Sequence, residues 1–176
     1  MVQIGLIGLP QSGKTTFFNL LTGATLETGL TGGGEVHTGS AVVPDARLDY
    51  LSEVYSPRKP VYAQIQFKDI PGALSREGKA GLSARLLEEA RGADALVMVL
   101  RAFQSSTVSA AVGEPDPFRD LMELESELLL ADLGTVENRL ERMNKAKKVP
   151  KEAVAQRELL EKIRASLEEG EPVGRL

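Results

Sequence analysis

The chain predicts an α/β fold carrying a helical hairpin, and three observations make the prediction. Short apolar runs alternate between strand-like and helix-like spacing. A glycine-rich phosphate-loop pattern lies between the first strand and the first helix. A long stretch beyond Pro115 keeps coiled-coil spacing with hardly a proline or glycine in it.

The elements follow in order. Val2 to Leu9 is a short apolar run suited to a buried parallel strand, and Thr15 to Leu21 carries Phe17, Phe18, Leu20 and Leu21 on a helix covering it. Thr22 to Gly39 is rich in Gly and Thr, with Gly32-Gly33-Gly34 in its middle, and reads as a mobile loop rather than a strand. His37, the only histidine, falls in that loop and reads as a solvated residue. Arg47 to Val54 has Leu48, Leu51 and Val54 at three-residue spacing after Pro44-Asp45 and reads as a helix. Val61 to Ile70 alternates in part, as a second strand would, and Leu82 to Arg91 reads as a helix with Leu82, Leu86, Leu87 and Ala90 on one side. Ala95 to Leu100 is continuously apolar and short, which suits a central parallel strand. Leu129, Leu133, Val136, Leu140 and Met143 then step by four and three, and Pro150 opens a second helix with a seam of Ala153, Gln156, Leu160, Ile163 and Leu167. Two such helices joined by a short turn make an antiparallel hairpin. The division expected is a nucleotide-type core over 1–115, the hairpin over 116–170 and a tail over 171–176.

Composition removes several function classes. Against 21 basic residues stand 25 acidic ones, a net charge of −4, so this is no polybasic chain that coats nucleic acid with its whole surface. Hydrophobic residues at 42% are enough for a packed core. The absence of cysteine excludes a disulfide scaffold, a thiolate zinc site and a thiol nucleophile together. With aromatics at 5% and no tryptophan, base stacking across a sheet is not expected. No apolar run approaches the roughly 20 residues of a membrane span. Met1 to Gly8 lacks the basic start of a signal peptide, so a soluble cytoplasmic protein without membrane partners is expected.

The chemistry sits in two motifs. Gly8-Leu9-Pro10-Gln11-Ser12-Gly13-Lys14-Thr15 fits G-x-x-x-x-G-K-[ST] at every specified position. Gly13 lets successive backbone N–H groups curl around a polyanion, and those donors join the positive end of the following helix. Pro10, Gln11, Ser12, Gly13, Lys14, Thr15 and Thr16 are therefore the candidate phosphate-binding residues. Lys14 would place its ammonium between the terminal phosphates, and the Thr15 hydroxyl would ligate Mg²⁺. The second motif is Asp69-Ile70-Pro71-Gly72 at the end of the second strand. Asp69 could support the Mg²⁺, and the Gly72 N–H could touch the γ-phosphate, which with Lys14 makes it a candidate catalytic group. Ser75 to Gly81 is the flexible stretch expected of a switch.

These residues resemble the YchF-type branch of the Obg-related P-loop NTPases. The resemblance runs through Gly5–Pro10 with Gly13-Lys14-Thr15, Val43–Asp49 and Asp69–Gly72. It continues through Gly81-Leu82, Arg91, Asp94-Ala95, Asp116-Pro117 with Arg119-Asp120, and Leu129–Leu133. It implies a Ras-like core with an inserted coiled coil, Mg²⁺ as cofactor, hydrolysis of ATP or GTP with ATP preferred in characterised members, and association with ribosomes. It also implies an aliphatic residue, here Ala73, where other switches keep a water-positioning glutamine. The departures thin the hydrolytic parts and lean toward slow turnover. Gln11 and Ser12 stand where the family usually has Asn and Val, which argues against activation by potassium. The switch threonine falls on or near Gly33, with Thr31 the nearest hydroxyl, and a histidine implicated in hydrolysis aligns with Ala110.

One part of a Ras-like core is missing from the pattern. Asn144-Lys145-Ala146-Lys147 is the nearest match to a base-reading loop, but it ends in lysine where a carboxylate must bind the purine edge. The core is therefore expected to be incomplete, an N-terminal fragment or a shortened relative lacking its base-reading strands. In that case the Ala95–Leu100 strand would offer an unpaired edge, and a homodimer through that edge is one expectation. At the hairpin tip, Arg139, Arg142, Lys145, Lys147, Lys148 and Lys151 outweigh Glu141, a local +5 that could contact ribosomal RNA. The alternative to a nucleotide-hydrolysing switch is a module that binds nucleotide or RNA without turnover.

Overall fold

A computed structural model describes residues 1–28, 35–71, 84–108, 113–145 and 151–175. Its residues form two compact units, Met1–Pro117 and Phe118–Leu176. In the first, β1 (Val2–Ile7) leads through the loop into α1 (Lys14–Thr22), followed by β2 (His37–Val42), α2 (Ala46–Tyr55), β3 (Gln64–Asp69), α3 (Ala84–Arg91) and β4 (Ala95–Met98).

The four strands lie in the order β2-β3-β1-β4. β1 pairs in parallel with β3, Leu6 standing opposite Asp69, and in parallel with β4 on its other side. β2 runs antiparallel to β3. One face packs on α1, where Leu6, Phe18 and Phe67 are buried with Ile4, Leu21, Leu26, Ala41 and Ile65 around them. Strand alternation sends Lys68 to the other face, where it pairs with Glu89 of α3 at 3.1 Å. The α3 residues Leu86 and Ala90 are buried there as expected, whereas Leu82 lies outside the described residues.

The helix expected at 47–54 is α2, and the residues before it explain where it starts. Asp45 is its N-cap and accepts from the Arg47 N–H at 2.9 Å, while the Arg47 guanidinium folds back onto the same carboxylate at 2.7 Å. At the start of β4 the Asp94 carboxylate accepts from the Gln3 N–H at 2.8 Å, tying that strand to the beginning of β1.

Two expectations are corrected. The Gly/Thr-rich stretch does not remain a loop up to Gly39, because β2 begins at His37. Gly39 serves close packing in it: a Cβ there would stand 2.8 Å from Thr22 and 2.9 Å from Phe18 of α1. His37 is consequently a strand residue, paired in register with Asp69. β4 is parallel, as expected, but it is not central. It is one of the two edge strands among the described residues, as the missing base-reading pattern implies, with Leu96 and Val97 each 36% exposed.

The second unit is built on α4 (Pro117–Lys145, whose first residue belongs to the first unit) and α5 (Lys151–Glu168), with a 3₁₀ turn at Val173–Arg175. Val136, Leu140 and Leu167 are its buried core, with Leu129, Leu133, Leu160 and Ile163 packed around them. Seven of the expected seam residues thus meet as the heptad spacing requires. Arg139 donates to Gln156 across the pair at 3.4 Å. Among the described residues no helix is long and apolar enough to cross a membrane.

Candidate functional site

The loop at the carboxyl end of β1 is shaped by three local constraints. A Cβ on Gly8 would fall 2.4 Å from the Val99 carbonyl oxygen, so only glycine lets the chain pass the end of β4. The Ser12 N–H donates to the Leu9 carbonyl at 3.2 Å and closes a turn. Gly13 then takes φ 96° and directs the backbone into α1, where no side chain caps the helix and no acidic residue occupies the first turn. Uncapped N–H groups at that end, with no negative side chain to satisfy them, suit an anion.

Lys14 is the charged centre. It is 7% exposed, and its Nζ donates to the Gly8 carbonyl at 3.1 Å and the Leu9 carbonyl at 3.2 Å. Burial lowers its pKa from the ordinary 10.5, and the nearby Asp69 charge opposes that shift. A cation stripped of water and held by two carbonyl dipoles is poised to exchange them for phosphate oxygens.

Thr15 and Asp69 come together as the two motifs predict. The Thr15 hydroxyl donates to Asp69 Oδ2 at 2.6 Å, bridging α1 to the end of β3. Asp69 is 4% exposed and its Oδ1 has no hydrogen-bond partner. A buried carboxylate oxygen left over beside a hydroxyl matches the oxygen donors that Mg²⁺ takes, directly or through its waters. Ser12 is also buried and its Oγ has no partner, whereas Thr16 is exposed on α1, and Pro10, Gln11 and Gly13 are partly buried in the loop. Gly72, Thr31, Gly33, Ala73, Ala110, Lys147 and Lys148 lie outside the described residues. So do the Ser75–Gly81 stretch and the side chain of Lys151.

Two residues just beyond β4 fall outside both motifs. Phe103, 47% exposed, places a ring carbon 3.7 Å from where a Gly13 Cβ would stand. Two residues earlier, Arg101 is 4% exposed and donates to the Gly113 carbonyl, while its Nη1 has no partner. The signal available in the sequence was the break in polarity directly after the Ala95–Leu100 run, where a cation and then an aromatic follow the apolar residues.

A parallel strand that feeds a Gly-Lys-Thr loop into an uncapped helix, with an aspartate from the adjacent strand on the threonine, defines a P-loop α/β protein. The family model described as 50S ribosome-binding GTPase matches residues 3–148, and the chain belongs to that family. Over 172 residues it is 37% identical to the ribosome-binding ATPase YchF of Bacillus subtilis, covering 96% of this chain and 47% of that protein. Over 177 residues it is 34% identical to the Obg-like ATPase 1 of Oryza sativa subsp. indica, covering 98% of this chain and 45% of that one. The solved structure of the Schizosaccharomyces pombe YchF GTPase superposes with a TM-score of 0.74 at 29% identity, over 96% of this chain and 47% of that chain. The YchF-type resemblance is therefore borne out across both units, and the chain spans about half the length of these relatives.

Proposed function

We propose that the chain binds a nucleoside triphosphate, ATP or GTP, with Mg²⁺ and hydrolyses it slowly as a ribosome-associated switch. The observation that carries this reading is the Lys14 ammonium held on the Gly8 and Leu9 carbonyls beside the Thr15–Asp69 hydrogen bond. Binding is an exchange: Lys14 leaves the two carbonyls for phosphate oxygens while the loop N–H groups and the start of α1 hold the rest of the chain of phosphates. Thr15 and Asp69 would hold the Mg²⁺, which supplies charge neutralisation across the phosphates when bound. Gly72 is the proposed sensor of the γ-phosphate. Turnover is slow in this reading because Ala73 offers no group to orient the attacking water, and such losses reduce rate more than affinity. Phe103 flanks the loop as an apolar cover for the nucleotide beyond its phosphates.

The basic residues from Arg139 to Lys151 are proposed to contact RNA phosphates. What supports this is the local +5 together with the name of the Bacillus subtilis relative, a ribosome-binding ATPase. Lys145 is ion-paired with Glu141 at 2.5 Å, the one acid already counted in that +5.

Equilibrium titration of ATP and GTP with Mg²⁺, beside single-turnover hydrolysis, tests the nucleotide reading. The expected result is saturable binding lost in Lys14→Ala, with measurable but slow turnover in the unaltered chain. Binding that survives Lys14→Ala unchanged would remove the phosphate-loop assignment. Binding without any turnover would leave a nucleotide-binding module instead of a triphosphatase.

A further inference from the structure

The turn that opens the phosphate loop contains a residue its geometry does not favour. Leu9 to Ser12 is closed by the Ser12 N–H to Leu9 carbonyl bond, with Pro10 in second place and Gln11 in third at φ 64°. Proline second and a positive φ third is the pattern of a type II turn, whose third position suits glycine and, after it, asparagine. A glutamine there sets its Cβ against the following carbonyl, a strain glycine escapes. Asparagine offsets such strain by bonding its own backbone. The Gln11 carboxamide makes no hydrogen bond among the described residues, and the residue is only partly buried, so packing does not explain it either.

Position decides what could compensate. The Leu9 carbonyl that closes this turn is also one of the two that hold the Lys14 ammonium, so the turn caps the cation that would meet the outer phosphates. A carboxamide at the turn's far corner can donate an N–H to an anionic oxygen there, a charge-assisted bond, without adding a second charge beside Lys14. Backbone strain held at a ligand clamp and offset only when the ligand arrives is a recognised use of such a conformation.

We propose that the Gln11 side chain contacts the terminal phosphate and so sets this chain's preference for triphosphate over diphosphate nucleotides. The inference rests on the nucleotide reading above and assigns to that site a side-chain contact beyond its backbone donors. The test measures affinities for the β,γ-imido analogues of ATP and GTP and for ADP and GDP, all with Mg²⁺, alongside Tm. Gln11→Gly keeps the turn, relieves the strain and deletes the donor. The expected result is a higher Tm with triphosphate affinity weakened about tenfold, the size of one charge-assisted bond, and diphosphate affinity unchanged. Gln11→Glu, which replaces the donor with a negative oxygen, should weaken the triphosphate further. A role confined to loop structure would instead move both nucleotide classes equally, and that outcome overturns the proposal, as does a Gln11→Gly variant with both affinities unchanged. Unaltered protein that binds none of the four nucleotides overturns the nucleotide reading and this inference with it. Normal binding with a flat Gln11→Gly overturns the inference alone.

Discussion

At Lys14 a charge is held where water would favour it more. Burial depresses its pKa below 10.5, and the Asp69 charge only partly restores it. The consequence for stability has a definite sign. Between the depressed folded value and 10.5 the unfolded chain carries a proton on Lys14 more often than the folded chain does, so stability rises with pH through that window. Lys14→Met removes the increment while keeping most of the buried stem. Tm recorded from neutrality to about pH 10.5 without nucleotide should therefore climb more steeply for the unaltered chain than for Lys14→Met. Parallel profiles would mean that the ammonium is better compensated than two carbonyls and one nearby carboxylate allow. A bound phosphate chain should abolish the difference by restoring the charge to a place that welcomes it.

At the scale of elements, the hairpin seam was the most legible part of the sequence. Heptad spacing names its pairings directly, because helix periodicity alone decides which residues face the partner. The phosphate loop was legible for another reason: its backbone shape is demanded residue by residue, and Gly8, Gly13, Lys14 and Thr15 each have one job. β2 was not legible. Its first three residues, His37-Thr38-Gly39, lack strong strand propensity as a group, and they are held by pairing with β3 and by the approach of α1 onto Gly39, neither of which is local. The edge position of β4 is legible only through the missing base-reading pattern, since a parallel strand reads as apolar whichever neighbours it has. The proximity of Phe103 to Gly13 depends on β4 lying beside β1, so no window of sequence around residue 103 contains it. The seam also supports a number. Leu140 is 6% exposed in a cluster with Val136 and Leu167, so Leu140→Ala should cost about 2–4 kcal/mol in the second unit through reduced burial and a residual cavity. Urea unfolding followed by a probe placed on α5 reads that cost. A value under about 1 kcal/mol would mean that the seam relaxes to fill the space.

For the whole molecule, the net charge of −4 is an average of unlike parts. Residues 139–151 carry +5, so the remainder carries −9. Such a division repels a polyanion from the acidic remainder and admits it at residues 139–151, which favours an oriented encounter over coating. If the tip meets RNA phosphates, the association must release counterions and weaken as salt rises, with a slope set by the number of phosphates engaged. Reversing Lys145, Lys147, Lys148 and Lys151 to glutamate should then weaken sedimentation with ribosomes. It should also flatten the log–log salt dependence by about 0.7–0.9 for each phosphate the tip no longer neutralises. Nucleotide affinity at the loop is a separate readout and should not move, because none of the four lysines belongs to the phosphate-loop motif. Binding to ribosomes that keeps both its strength and its salt slope after the reversal would take the RNA-binding role away from the tip. The acidic remainder would then require a basic or apolar partner surface, such as a ribosomal protein, instead of RNA.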